Sequence, residues 1–122
     1  MIIVGSKLKI IDNSGAKIVE CIKVLGRNGS QVAYAGDIII ASVKKSQPRK
    51  KVTKGDIVRV VVSTVKKGQM RKNGILVSFG ENTGVVVNAK NVPVGTRVLG
   101  PVMLELREKG MLKVISMATV AI

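Results

Sequence analysis

The chain has 122 residues, 46% of them hydrophobic, a size and apolar content suited to one domain with a real core. Lys and Arg number 21 against 7 Asp and Glu, giving a formal charge of +14, with no His, no Trp and 1 Cys. These counts exclude an intrachain disulfide and any histidine-based catalytic or metal site, and no apolar run approaches the roughly 18 residues of a membrane-spanning helix.

Taken in chain order, the pattern is mainly β. The opening Met1-Ile-Ile-Val-Gly-Ser-Lys7 carries neither a signal pattern nor a transit pattern. Residues 7–11 alternate as a strand, and Asp12-Asn13-Ser14-Gly15 follows as a turn whose side chains bond locally. Residues 17–25 read as a second strand, closed by a turn at Gly26-Arg27-Asn28-Gly29-Ser30. Two Gly-Asp pairs, Gly36-Asp37 and Gly55-Asp56, each precede a β-branched run. They predict tight turns that feed strands over residues 37–43 and 56–65. Residues 75–79 and 84–88 read as a further pair of strands. Pro101 and Gly110 bracket a short helix over 102–109, and residues 113–117 read as a last short strand. Short strands at this spacing indicate a small closed barrel, which removes exposed sheet edges.

Eleven of the 21 basic residues lie between Lys44 and Lys72. Lys44, Lys45, Arg49, Lys50, Lys51 and Lys54 form one cluster without an acid, read as a loop because it contains Pro48. Lys66, Lys67, Arg71 and Lys72 form the second, read as the tip of an extended hairpin. Loops of this kind can lie along phosphates, with Arg binding bidentately and Lys as a point charge. Two solvated charged loops are the alternative. Against it stands a charge well above the ~2–8 that solubility asks of a small domain. An anionic membrane is disfavoured by the lack of a basic amphipathic helix. Tyr34 and Phe79 are the only rings. Stacking on loose single strands is therefore disfavoured, and folded RNA bound by shape and backbone is favoured. No helix-turn-helix or zinc-finger pattern supports DNA.

An enzyme is hard to assemble here. Cys21 falls inside a strand, where it reads as a small core residue. Glu105 and Glu108 share a helix face with Arg107 and Lys109 nearby, which reads as surface pairing. Gly26-Arg-Asn-Gly29 resembles an RNA-binding loop motif but reads better as a hairpin turn. A free-standing nucleic-acid-binding barrel, such as a chaperone or translation factor, remains the second functional class.

The order of motifs carries a family resemblance over essentially the whole chain. Its pieces are Asp12-Asn-Ser-Gly-Ala16, Cys21-Ile-Lys-Val-Leu-Gly26, Tyr34 with Gly36-Asp37-Ile38-Ile39, and Lys54-Gly-Asp-Ile-Val58. Asn73-Gly74 with Phe79 and Asn82, Gly95-Thr-Arg97 with Gly100-Pro101-Val102, Glu105-Leu-Arg-Glu108 and Lys113-Val-Ile-Ser116 complete the set. The sequence resembles large-subunit ribosomal protein fourteen, of the bacterial or organellar type. The resemblance implies a five-stranded barrel with a projecting β-ribbon and a short C-terminal helical region; the residue inventory itself, without His or a Walker-type loop, leads to the expectation of no cofactor and no metal. The resemblance also implies a structural role in the large ribosomal subunit, rRNA binding that would use the basic residues above with Arg97, and an intersubunit bridge to small-subunit rRNA. It further implies contacts with large-subunit proteins three and nineteen, and docking of a ribosome-silencing factor on Thr96, Arg97 and Lys113. Arg59 departs from the family pattern by placing charge on a packed strand, and the tail 117–122 lacks the family's usual Pro and acid. A bacterial cytoplasm or an organelle matrix, a mitochondrion among them, is the implied compartment.

Overall fold

The computed structural model describes residues 2–25, 31–67, 69–70, 74–118 and 120–122. The turn expected at residues 26–30 therefore lies outside the described residues, as do Arg71 and Lys72.

Five strands close a barrel in the order β1-β2-β3-β4-β7. They are β1 (Lys7–Ile10), β2 (Ala16–Val24), β3 (Ile38–Ser46), β4 (Ile57–Thr64) and β7 (Thr83–Val87). Neighbours pair antiparallel except β1 and β7, whose parallel pairing closes the ring. Strand β1 shows the simple alternation of a half-buried strand, with Leu8 and Ile10 inward and Lys7 and Lys9 outward. Strands β4 and β7 do not alternate: Val60, Val61 and Val62, and all of Thr83–Val87, are buried. They are buried on both faces because the C-terminal segment covers them from outside. Val102, Met103, Leu106 and Val114 join the core there, and the Met103 amide donates to the Ser63 carbonyl at 2.9 Å.

The two Gly-Asp turns have the same construction. In each, the Asp carboxylate accepts the amide three residues earlier, from Tyr34 at 2.9 Å and from Thr53 at 3.0 Å. The Asp amide returns to the same residue's carbonyl. Gly36 and Gly55 adopt φ of 90° and 93°, which a side chain would resist. A third copy, invisible as a Gly-Asp pair, occurs at Ile3–Ser6, where Ser6 Oγ takes the carboxylate's place and accepts the Ile3 amide at 3.1 Å.

Four expectations need correction. Residues 75–79 and 84–88 do not pair with each other. β6 (Leu76–Val77) pairs with β5 (Gln69–Met70) in a separate ribbon, and β7 completes the barrel. Residues 113–117 are helical, not extended: α2 spans Leu112–Met117. Lys-Val-Ile-Ser fits either period over so short a run, and burial of Met111 and Val114, three residues apart, in the core decides for the helix. The preceding helix is shorter than expected, with α1 at Glu105–Glu108. Pro101–Val102 instead forms β8, in parallel register with β9 (Val120–Ala121), an edge position where proline's missing N–H costs nothing. Finally, Lys44 and Lys45 lie on β3 and not in a loop. Gly110 does sit just past α1 with φ of 80°, as a C-terminal stop should.

Candidate nucleic-acid interface

The first basic cluster is tied to the barrel at two points. The Gln47 amide donates to the Gly15 carbonyl at 2.7 Å, and the Val52 amide to the Ser14 carbonyl at 3.3 Å. Val52 is buried, so an apolar anchor sits inside a run of cations. Gly15, with φ of 112°, lies against the Lys50 side chain, where a Cβ would collide. The loop is thus pinned at both ends, while Arg49, Lys50 and Lys51 are exposed between them. Arg49 takes φ of 63°, an uncommon conformation for a residue with a side chain.

A second segment meets this loop through Asn13. Its Oδ1 accepts the amides of Thr96 at 2.7 Å and Arg97 at 3.1 Å, and its Nδ2 donates to Thr96 Oγ1 at 2.8 Å. Asn13 can reach them because the turn that carries it is itself locked. Asp12 Oδ1 accepts the Ser14 amide at 3.0 Å and the Ser14 hydroxyl at 2.6 Å. Asp12 Oδ2 accepts the Val86 amide of β7 at 2.9 Å. Lys51 Nζ reaches the Val94 carbonyl at 3.5 Å from the other side. The result is an open pocket of about 220 Å³ between Ser14, the Arg49–Lys51 cations and Gly95-Thr96. The Thr96 hydroxyl, which accepts from Asn13 and keeps its own proton to donate, and the Arg49–Lys51 cations border this open concavity, a donor set suited to phosphate oxygens.

The remaining expected residues distribute as follows. Lys54 is exposed in the second Gly-Asp turn, and Lys44 and Lys45 are exposed at the end of β3, with Lys44 Nζ 3.9 Å from Glu20. Lys66 and Lys67 are exposed just after β4. Lys113 is exposed on α2, and no described hydrogen bond or ion pair links it to the Thr96–Arg97 turn. The structure therefore brings Arg49, Lys50 and Lys51 beside Thr96 but leaves Lys113 on a separate element.

Sequence reasoning treated Asn13 only as a turn residue and passed over its role as the clasp. Nothing in the local pattern signals a partner 83 residues away. It also passed over Lys7, Lys9 and Lys17, which look like the ordinary polar face of strands.

Cys21 is buried in β2, and burial pushes its thiol above the ordinary range, with a backbone hydrogen bond at Lys23 opposing that in part. Such a thiol is a poor nucleophile. Among the described residues there is no cluster of three or more His, Cys, Asp or Glu able to hold a metal ion. Arg59 sits half-buried on β4 and donates from Nη2 to Asn91 Oδ1 at 3.1 Å, so the family-atypical charge has a local acceptor. Comparison with known families returns one whole-length match: the model described as ribosomal protein L14p/L23e covers residues 1–122.

Proposed function

Because the chain belongs to the ribosomal protein L14p/L23e family, and is thereby a structural, non-enzymatic constituent of the large ribosomal subunit, we propose that it binds large-subunit rRNA through its basic surface. Arg49, Lys50 and Lys51 are the central phosphate contacts, with Lys44, Lys45, Lys54, Lys66, Lys67, Arg71, Lys72 and Arg97 extending them. The observation that carries this reading is the pinned cationic loop facing the Thr96 turn across one open pocket. A charge of +14 on 122 residues needs a polyanion to offset its self-repulsion.

The finer assignments extend the family's properties to this chain. The barrel contributes to a bridge with small-subunit rRNA and neighbours large-subunit proteins three and nineteen. Thr96, Arg97 and Lys113 offer a docking surface to a ribosome-silencing factor. The exposure of all three residues, and the rigid presentation of the first two by Asn13, support that assignment. The ribosome concerned is that of a bacterium or an organelle.

The test is binding to large-subunit rRNA fragments across a salt series. If about six phosphates are neutralised, log affinity falls with log salt at a slope of about −4 to −5. A flat response would reject the electrostatic account. Sedimentation through sucrose separates a resident from a soluble factor: the chain stays with large subunits through moderate salt washing.

A further inference from the structure

Among the described residues, a larger concavity lies away from the Asn13 pocket. It is an open groove of about 640 Å³ on the outer face of β1 and β2, bordered by the loop that precedes β7. Four lysines line it, Lys7, Lys9, Lys17 and Lys66, against one carboxylate, Glu81. Glu81 Oε1 is 3.9 Å from Lys9 Nζ, and both side chains are about 60% exposed, so water and salt screen that pair and leave the groove cationic. Ile18 contributes a half-buried apolar floor.

Each lysine is aimed there by a backbone feature. Lys7 and Lys9 are the outward positions of β1, two residues and therefore about 6.5–7 Å apart, an interval comparable with that of successive phosphates on one RNA strand. Lys17 is the extra residue of a β-bulge: Ala16 pairs with Ser46 and Ile18 with Lys45, so Lys17 has no rung of its own and turns outward. Lys66 is held by its amide, which donates to Asn82 Oδ1 at 2.8 Å, while the Asn82 carbonyl accepts the Lys9 amide at 3.0 Å. One residue thus fixes both walls of the groove.

The groove also touches both basic clusters. Lys66 opens the second cluster, and Lys17 lies between the rungs that reach Ser46 and Lys45, where the first begins. We infer that the groove of Lys7, Lys9, Lys17 and Lys66 is a further phosphate-binding surface, which joins the two basic clusters into one continuous seat for an RNA backbone across the barrel wall. The inference rests on the RNA-binding reading above and deepens it. A lysine rim without aromatic rings binds backbone and not unstacked bases. The apolar floor accommodates ribose.

The experiment compares two variants of equal charge on large-subunit rRNA fragments. One is the triple Lys7→Gln, Lys9→Gln, Lys17→Gln; the other is Lys23→Gln, Lys90→Gln, Arg107→Gln, three exposed cations outside the groove. The groove triple should reduce the magnitude of the salt slope by about 2, since each phosphate contact contributes ~0.7–0.9, while the control changes it by less than 1. Equal slopes for the two variants would overturn the inference while leaving RNA binding intact. A flat slope for the unaltered protein would instead overturn the RNA-binding reading and this inference with it. Lysine methylation of the unaltered protein gives a reading that does not depend on folding of a variant. Bound RNA should slow modification of Lys7, Lys9 and Lys17 several-fold and spare Lys23 and Lys90. Equal rates with and without RNA overturn the groove, including the case in which a protein partner occupies it.

Discussion

Asn13 holds Thr96 from both directions, accepting its amide at 2.7 Å and donating to its hydroxyl at 2.8 Å, across 83 residues of chain. This clasp places the Thr96–Arg97 turn against the cationic loop and makes the two segments one surface. The first prediction tests it. Asn13→Ala removes three hydrogen bonds at an exposed site and should cost about 1–2 kcal/mol, read from the urea midpoint. RNA affinity should fall with little change in salt slope, because no cation is lost. Gly95→Ala should have the same effect, since its Cβ would stand 2.5 Å from Asn13 Oδ1 and displace that side chain. The double variant should then be no worse than either single one, as expected of residues that act through one contact.

Asp12 is the barrel's internal fastener. Its carboxylate serves Ser14 on one oxygen and the β7 amide of Val86 on the other, and all three residues are buried. Asp12→Ala strands two buried amides and a hydroxyl and should cost about 3–5 kcal/mol. Asp12→Asn keeps one acceptor and should cost less. A full loss in the Asn variant and none in the Ala variant would reverse the assignment.

The paired turns allow a comparison at matched backbone geometry. Gly55→Ala meets open space and should cost only the left-handed strain, about 1–2 kcal/mol. Gly36→Ala carries the same strain and also drives its Cβ to within 2.6 Å of Lys109 Cγ. Lys109 Nζ lies 3.7 Å from buried Asp37, so that contact is disturbed as well. Thermal midpoints should therefore fall further for Gly36→Ala than for Gly55→Ala.

Cys21 imposes a pH dependence of defined sign. Burial raises its folded value above the ordinary 9.0, so the unfolded thiol releases its proton first as pH rises. The unfolded state then binds fewer protons, and stability falls with increasing pH, by at most about 1.4 kcal/mol per unit. The contribution is complete below the unfolded value and is lost from there up to the raised folded value. Urea midpoints at neutral pH and at pH above 9.0 should diverge in the unaltered protein and diverge less in Cys21→Ala. Thiol reagents should leave the native protein unmodified at neutral pH.

Local sequence was a reliable guide where the chemistry is local. The Gly-Asp turns, the Asp12–Ser14 bonds, the alternation of β1 and the stop at Gly110 follow from side-chain reach and backbone freedom over three or four residues. Net charge over the whole chain likewise called for a polyanionic partner without knowledge of any contact. What depended on the neighbour was not legible. Lys113-Val-Ile-Ser116 became helical because that period buries Val114 in the same core as Met111, and Pro101–Val102 became a strand because Val120–Ala121 lies beside it. The pairing of β7 with β1 and β4 instead of β6, the clasp of Asn13 on Thr96, and the bulge that turns Lys17 outward are likewise tertiary decisions. Each is a choice among partners distant in sequence, settled by which apolar faces can be buried together once the barrel closes.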